Sequence, residues 1–281
     1  MKKIMSIRKL LLPVLLVFVL LVSGCGKDTA AKNTAAEADK TITFVAQNYK
    51  LYEDTTKILA EEVQKLGYKL EYKFVADNTQ INEAVERGEA FANYHQHIAF
   101  LTEFNQVHNT HLYPAFEVFT DRAGLFSKKY KSIDQLPDGA TISIPVDPGN
   151  NFRTLVMLAD AGLIKLKEGV EPAKVTIKDI VDNSHHFKFT EVDYTMLSRA
   201  IEDADAGFLY ATVAAELDLD FNRDALLKES KKHQSPDVIT VLEKNKDSEK
   251  TKILKKAYQT DRMKQAFKDA YQGREILLPA W

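Results

Sequence analysis

Apolar and polar positions beyond residue 40 follow two alternating periodicities. Short runs rich in β-branched and aromatic residues predict strands, and segments whose apolar residues recur every three or four positions predict helices. This alternation of strands and helices is typical of an open parallel sheet covered by helices. The predicted elements are, in order, strand 41–46, a helix from about 51 to Gly67, strand 69–75, helix 79–87, strand 90–94 and helix 98–107.

The same pattern restarts after a segment, residues 112–126, that we interpret as a crossover. It predicts strand 140–145, helix 150–161, strand 187–192, helix 195–202 and strand 206–210. The tail from 235 to 273 is charged and helix-rich in its pattern, and we expect it to pack on the first unit.

The fold class is therefore predicted to be α/β with two lobes. The first lobe comprises residues 41–118 with 226–281, and the second comprises 119–225. Clefts between lobes are common binding sites for small ligands, so we expect a ligand cleft between these two.

The N-terminus has the order of a secretory signal: basic residues, an apolar run and small residues. Four basic residues lie within the first nine positions, the run extends from Leu10 to Val22, and Ser23-Gly24 follows. As a helix, the 13 residues of this run would cover only ~20 Å of a ~30 Å hydrocarbon core. We predict a signal peptide over 1–24; an uncleaved membrane anchor is the alternative.

Cys25 is the only cysteine of the chain, which excludes an intramolecular disulfide. Its place after small residues resembles the lipobox of bacterial lipoproteins, in which the cysteine becomes the lipidated first residue of the mature protein. The following residues, up to 40, are small and polar and lack large apolar side chains. We interpret 25–40 as a lipidated cysteine and a flexible tether, so that the partner of this end is the membrane.

Charge argues against a nucleic-acid partner. Loss of the signal removes four basic and no acidic residues, which changes the formal net charge from −2 to −6. No second long apolar segment follows that could span a membrane.

Two internal stretches, 91–101 (FANYHQHIAFL) and 127–167, and the final Leu-Pro-Ala-Trp at 278–281, carry a family resemblance. The chain resembles the methionine-uptake lipoprotein family of ABC transporter binding proteins over nearly all of its mature length. The resemblance implies a periplasmic-binding-protein-like fold and an exported, lipid-anchored monomer without cofactor. It also implies a small amino-acid-like ligand, methionine or a related amino acid or derivative, delivered to an ABC permease and its ATPase.

The turn at 146–150 (VDPGN) is the strongest candidate for ligand contact. Asn150 is placed to cap the following helix, and free N–H groups at a helix start attract anions. Arg153 in the first turn opposes the helix dipole, so it needs a negative partner. From the residues alone, that partner is either a ligand carboxylate or a local acid such as Asp147. The resemblance implies the ligand carboxylate, in which case Arg153→Ala would weaken binding without altering the stability of the empty protein.

Further ligand contacts follow from the resemblance. At several pocket positions this chain differs from the family pattern, namely at Asn78, Val146, Tyr210 and Thr212, so we predict a ligand preference different from or broader than methionine. The predicted ligand-binding residues are Arg153, Asn150, Asn151, Tyr94, His97, Phe100, Tyr210 and Thr212.

Three rival functions remain open from the sequence. A metal-binding transport lipoprotein is suggested by the histidines, but we expect His95 and His97 to point in different directions, which disfavours a shared metal. A binding protein for short peptides is a second alternative. An enzyme is disfavoured because the chain has no G-x-S-x-G, no glycine-rich phosphate loop and no H-E-x-x-H motif.

Overall fold

The computed structural model describes residues 40–272, 274 and 276–281. The predicted signal peptide, Cys25 and all of the tether before Lys40 lie outside the described residues. Within the described part, no helix combines the length and apolar character needed to cross a bilayer.

Strands and helices alternate through most of this part. The strands are β1 (Thr41–Gln47), β2 (Lys69–Val75), β3 (Ala92–His97), β4 (Leu112–Asp121), β5 (Ala123–Phe126), β6 (Thr141–Pro145), β7 (Lys165–Leu166), β8 (Ile180–Asp182), β9 (Lys188–Val192), β10 (Ala206–Tyr210), β11 (Ala225–Lys228), β12 (Asp237–Leu242) and β13 (Leu277–Pro279). The α-helices are α1 (Lys50–Lys65), α2 (Asn78–Glu86), α3 (Ile98–His108), α4 (Pro148–Asp160), α5 (Leu197–Asp203), α6 (Ala211–Glu216), α7 (Phe221–Asp224), α8 (Glu249–Tyr258) and α9 (Asp261–Ala270). Single 3₁₀ turns lie at Ile133–Gln135, Pro172–Lys174, Ile177–Asp179, Tyr194–Met196, Lys231–His233 and Glu243–Asn245.

The strands form two main sheets. The first sheet has the order β13-β4-β12-β3-β1-β2, with β1 parallel to β2 and β3, and with β12 antiparallel to β3 and β4. The second sheet has the order β11-β5-β10-β6-β9, with β6 parallel to β10 and β9. Strands β7 and β8 form a separate hairpin-like pair. One continuous group of buried apolar side chains contains residues from both sheets and their covering helices.

Most elements predicted from periodicity are confirmed within one to three residues. Residues 112–126 carry the chain from one sheet to the other, as predicted, but they do so as two strands, β4 and β5, which are separated only by Arg122. One prediction is wrong in part. The tail predicted to be helix-rich contains α8 and α9, but its first apolar run is the strand β12, which lies between β4 and β3 and is almost fully buried. A continuous apolar run (DVITVL) is compatible with either structure, and its neighbours in space decide it.

Two helix starts position side chains near the ends of β-strands. Asp77 precedes α2 and accepts a hydrogen bond from the Gln80 N–H at 2.9 Å. His97, the last residue of β3, accepts one from the Phe100 N–H through Nδ1 at 3.1 Å and thereby caps α3.

Helices α3 and α4 pack closely at a glycine. A Cβ on Gly149 would lie 3.1 Å from the Phe100 Cα, which is tighter than ordinary van der Waals contact. Gly149 therefore permits the start of α4 to approach the start of α3. This contact places the first turn of α4 beside the end of β3.

Candidate functional site

A cleft of about 420 Å³ lies between elements of the two sheets. Its volume is within the range of small-molecule sites. Its lining includes Tyr52, Ala76, Asp77, Asn78, His95, His97, Phe100, Asp121, Val146, Asp147, Asn150, Asp193, Tyr194, Tyr210 and Asp237.

Asp121 and Asp237, which we call the acidic pair, lie where the chain passes between the sheets. Asp121 is the last residue of β4, and Asp237 is the first residue of β12. Asp237 stands opposite Phe119 in the β4–β12 register, and Asp121 is two residues further along β4. Residues two apart on a strand share a face, so the two carboxyl groups project from the same face as diagonal neighbours.

Each carboxyl group of the acidic pair has one oxygen bound by a protein hydroxyl. Tyr52 donates to Asp237 Oδ2 at 2.8 Å, and Thr212 donates to Asp121 Oδ2 at 2.5 Å. A longer backbone contact of 3.4 Å joins the Thr212 N–H to Asp121 Oδ1. Within the described part of the chain, Asp237 Oδ1 has no hydrogen-bond donor in the protein.

Burial makes these carboxyl groups weak acids. It raises the pKa of Asp121 to about 8, and the neighbouring Asp237 adds to this shift while the Thr212 hydrogen bond opposes it. Burial likewise raises the pKa of Asp237 to about 7, against the opposing effects of Tyr52 and Arg153. Asp147 is affected in the same way, and its pKa is raised to about 6. The empty cleft therefore disfavours negative charge on three of its acids.

The two histidines of β3 are buried and neutral. Burial is the main reason that the pKa of His95 and of His97 is lowered to about 3. His97 Nδ1 accepts the Phe100 N–H, so its Nε2–H donates to Asn150 Oδ1 at 2.8 Å. His95 Nε2 lies 3.1 Å from the acceptor Asn82 Oδ1 and must also carry the proton. Both rings line the cleft, so the expectation that they point in different directions is wrong, because residues two apart on a strand share a face.

The negative partner that the sequence predicts for Arg153 lies within the protein, and it is Glu229 rather than the expected ligand carboxylate or Asp147. The guanidinium of Arg153 forms a two-pronged pair with Glu229, from Nε to Oε1 at 2.6 Å and from Nη2 to Oε2 at 2.7 Å. Only 1% of Arg153 and 6% of Glu229 is exposed. The remaining donor group, Nη1, contacts Tyr210 Oη at 3.0 Å and Asn150 Oδ1 at 3.3 Å. Arg153 thus lies behind the cleft wall, and its negative partner is a residue of the protein.

Asn150 connects the cleft wall to this buried pair. The helix α4 begins at Pro148 with Asp147 in the capping position, so Asn150 lies in the first turn and is not the expected cap. Its Oδ1 accepts a hydrogen bond from Tyr210 at 2.5 Å, and its Nδ2 donates to Asp147 Oδ1 at 2.9 Å. These bonds fix the amide in one orientation.

Four of the eight predicted ligand-binding residues line the cleft: Asn150, His97, Phe100 and Tyr210. Arg153 and the other three, Asn151, Tyr94 and Thr212, are not among the lining residues. Tyr94 is fully buried in the core, where its hydroxyl is 2.5 Å from that of Tyr258. Asn151 Nδ2 donates to the Pro145 carbonyl and to Glu191, each at 2.8 Å.

Sequence reasoning missed Tyr52, Asp121, Glu229 and Asp237. Tyr52, Asp121 and Asp237 belong to segments interpreted as a helix, a crossover and a charged tail, whereas Glu229 lies between the predicted elements. Only the strand pairing of β12 brings Asp237 into the cleft.

A metal centre finds no support in the described ranges, 40–272, 274 and 276–281. Among those residues, no group of three or more histidine, cysteine, aspartate or glutamate side chains is arranged to hold a metal ion.

Comparison with known proteins identifies relatives across nearly the whole chain. The profile of the NlpA lipoprotein family matches residues 44–281. The chain is 32% identical over 263 residues to the methionine-binding lipoprotein MetQ of Bacillus subtilis, covering 92% of this chain and 94% of the relative. It is 31% identical over 261 residues to the D-methionine-binding lipoprotein MetQ of Salmonella typhi, covering 92% and 93%.

Solved structures share the fold. A lipoprotein of the YaeC family from Enterococcus faecalis superposes with a TM-score of 0.79 at 33% identity, covering 86% of this chain and 100% of that chain. A nutrient-binding protein from Burkholderia cenocepacia bound to methionine gives a TM-score of 0.77 at 29% identity, covering 85% and 100%. The two-lobed, mixed α/β arrangement is thus that of periplasmic substrate-binding proteins. Because the family profile and these relatives cover most of its length, the chain belongs to the NlpA lipoprotein family.

Proposed function

We propose that this protein is the exported, lipid-anchored substrate-binding component of an ABC importer. It captures a small amino-acid-like ligand, methionine or a related amino acid or derivative, in the cleft between the two sheets. The observation that carries the proposal is the cleft itself, which is lined by polar side chains from both sheets and has the volume of a small-molecule site. Relatives named as methionine-binding lipoproteins support the ligand class.

The two lobes close around the ligand by movement at the chain crossovers. Lobe boundaries at 118/119 and 225/226 would divide strands β4 and β11, so we place them at Arg122 and after Lys228. Each sheet then lies entirely within one lobe. Closure on the ligand creates the state that a permease and its ATPase recognise, with the binding protein acting as a monomer.

The protein acts by binding and release without catalysis. The family consists of substrate-binding proteins of transport systems. The cleft-lining residues Asn78, Val146 and Tyr210, together with Thr212 behind Asp121, still support a ligand preference that differs from methionine or is broader.

Native mass spectrometry of the purified full chain tests the proposal. We expect one small molecule per chain, which unfolding releases. The variant Ala76→Trp places a large ring at the cleft wall and should abolish this binding, whereas the control Ala173→Trp, at an exposed position away from the cleft lining, should retain it. Equal retention of ligand by both variants would exclude this cleft as the binding site.

Lipidation at Cys25 anchors the protein to the membrane. The basic, apolar and small-residue order before Cys25 motivates this assignment. We expect Cys25→Ala to lose incorporation of labelled fatty acid and to leave the membrane fraction. Undiminished labelling of the variant would contradict the assignment.

A further inference from the structure

The cleft has a one-sided distribution of charge. Among its lining residues in the described part of the chain, five are aspartates and none is lysine or arginine. The aspartates are Asp77, Asp121, Asp147, Asp193 and Asp237. Asp77 and Asp193 are exposed at the rim, where each binds backbone N–H groups of the following turn. The acidic pair and Asp147 lie deeper.

Arg153, the cation behind the cleft wall, is already neutralised. Arg153 is buried behind Asn150 and Tyr210, and both oxygens of Glu229 occupy its guanidinium edge. Exchanging Glu229 for a ligand carboxylate would leave Glu229 as an uncompensated buried charge, which is strongly unfavourable. The cleft therefore has no cation available for a carboxylate, and an anionic group would lie close to the acidic pair.

The acidic pair and His95 provide unused hydrogen-bond acceptors in the deep cleft. Asp237 Oδ1 receives no donor from the described residues, and Asp121 Oδ1 has only the 3.4 Å contact with the Thr212 N–H. His95 lines the cleft, and only 6% of it is exposed. Its Nε2–H is directed to Asn82, and its unprotonated Nδ1 has no partner within residues 40–272, 274 and 276–281.

These acceptors match the donors of an ammonium group. An ammonium has three N–H donors and a positive charge, and a buried carboxylate is stabilised by such a partner. A neutral imidazole nitrogen with a free lone pair can also accept a hydrogen bond from an ammonium group. An unpaired buried acceptor is costly, so an ammonium bound at the acidic pair would satisfy acceptors that the protein leaves open. His95 lines the same cleft.

We propose that the cleft selects a small amine of net positive charge whose ammonium group binds between Asp121 and Asp237. This inference rests on the proposed function and narrows its ligand class to amino-acid derivatives without a free carboxylate. The ammonium supplies the hydrogen-bond donors that the protein does not provide to these two carboxyl groups. The aliphatic body of the ligand extends towards Phe100 and Tyr210.

A matched ligand series separates charge from shape. Calorimetric titration of the full chain at pH 7.5 uses L-methionine, its decarboxylated counterpart 3-(methylthio)propylamine, and N-acetyl-L-methionine, which lacks the ammonium. L-Lysine distinguishes a basic amino acid from an amine without carboxylate. We expect 3-(methylthio)propylamine to bind at least ~10-fold more tightly than L-methionine, and N-acetyl-L-methionine to show no binding.

Variants test the assigned residues. Asp237→Asn preserves an acceptor for Tyr52 but removes the charge, and should weaken amine binding at least ~10-fold. Asp138→Asn, the same change at an exposed position outside the cleft, should leave the affinity unchanged. Glu229→Gln leaves the charge of Arg153 without an anionic partner and should shift the preference towards L-methionine. Thermal melting of each variant checks folding.

The outcomes distinguish the inference from the proposed function. Binding of L-methionine that is as tight as binding of the amine, and unaffected by Asp237→Asn, would overturn the inference while leaving a methionine-binding protein. Failure of every compound to bind, together with no ligand in native mass spectrometry, would overturn both.

Discussion

Replacing Arg153 with alanine is expected to lower the free energy of unfolding of the empty protein by ~3–5 kcal/mol, because it leaves Glu229 buried without its partner. The pair is nearly inaccessible to solvent and has two short hydrogen bonds. This differs from the result predicted from the sequence, in which only ligand binding would suffer. Urea unfolding of the ligand-free chain measures the effect.

A double variant provides the control. Arg153→Met with Glu229→Leu removes both charges and keeps apolar volume, so most of the lost stability should return. If Arg153→Ala unfolds at the same urea concentration as the wild type but loses ligand binding, the guanidinium contacts the ligand and the buried-pair account is wrong.

The stability of the empty protein is expected to fall by about 1–2 kcal/mol as the pH rises from about 6.5 to 8.5. The acidic pair is responsible, since the pKa of Asp121 is raised to about 8 and that of Asp237 to about 7. A carboxyl group with a raised pKa holds a proton that the unfolded chain has already released. Its contribution is therefore present at low pH and is lost as the pH passes through the folded-state pKa.

The groups around the acidic pair set the limits of this pH range. The lowered pKa values of His95 and His97 act in the opposite direction below about pH 6.5, because the unfolded chain binds protons that these buried rings exclude, so they offset the further gain from the acidic pair there. Other groups that contribute to the electrostatics of the pair are Arg153, Tyr52, Tyr94, Tyr194, Tyr210, Tyr258 and Tyr271.

Two comparisons isolate the acidic pair. Asp121→Asn should remove most of the decline at alkaline pH, and saturating 3-(methylthio)propylamine should abolish it because the ammonium pairs with the ionised carboxylates. Urea unfolding at several pH values gives both slopes. An unchanged slope in Asp121→Asn would show that other groups titrate.

Most of the fold could be predicted from the sequence because the periodicities of strands and helices depend only on neighbouring residues. The alternation at 69–75 and the helical spacing ended by Gly67 correspond directly to β2 and α1. The central strand β12 was missed because six apolar and polar residues at 237–242 do not distinguish a strand from a helix without their partners β3 and β4.

The site was less accessible to sequence reasoning because its chemistry depends on pairings between distant segments. The position of Arg153 against the helix dipole indicates a negative partner, but only the structure shows that this partner is Glu229, 76 residues away. The family resemblance placed Asn150, His97, Phe100 and Tyr210 at the pocket, and all four line the cleft. The two residues of the acidic pair lie at separate crossovers between the sheets, and no local sequence pattern relates these two segments.

Hydrogen–deuterium exchange of the full chain, with and without saturating ligand, tests most directly whether a small molecule is enclosed between the two sheets. The probes are L-methionine and 3-(methylthio)propylamine, measured separately. We expect slower exchange at three cleft-lining segments, 76–79, 146–150 and 193–195, because closure buries them. Slower exchange confined to the separate cavity beside Lys50, Glu216 and Tyr271, or no change in any segment with a ligand that calorimetry shows to bind, would contradict it.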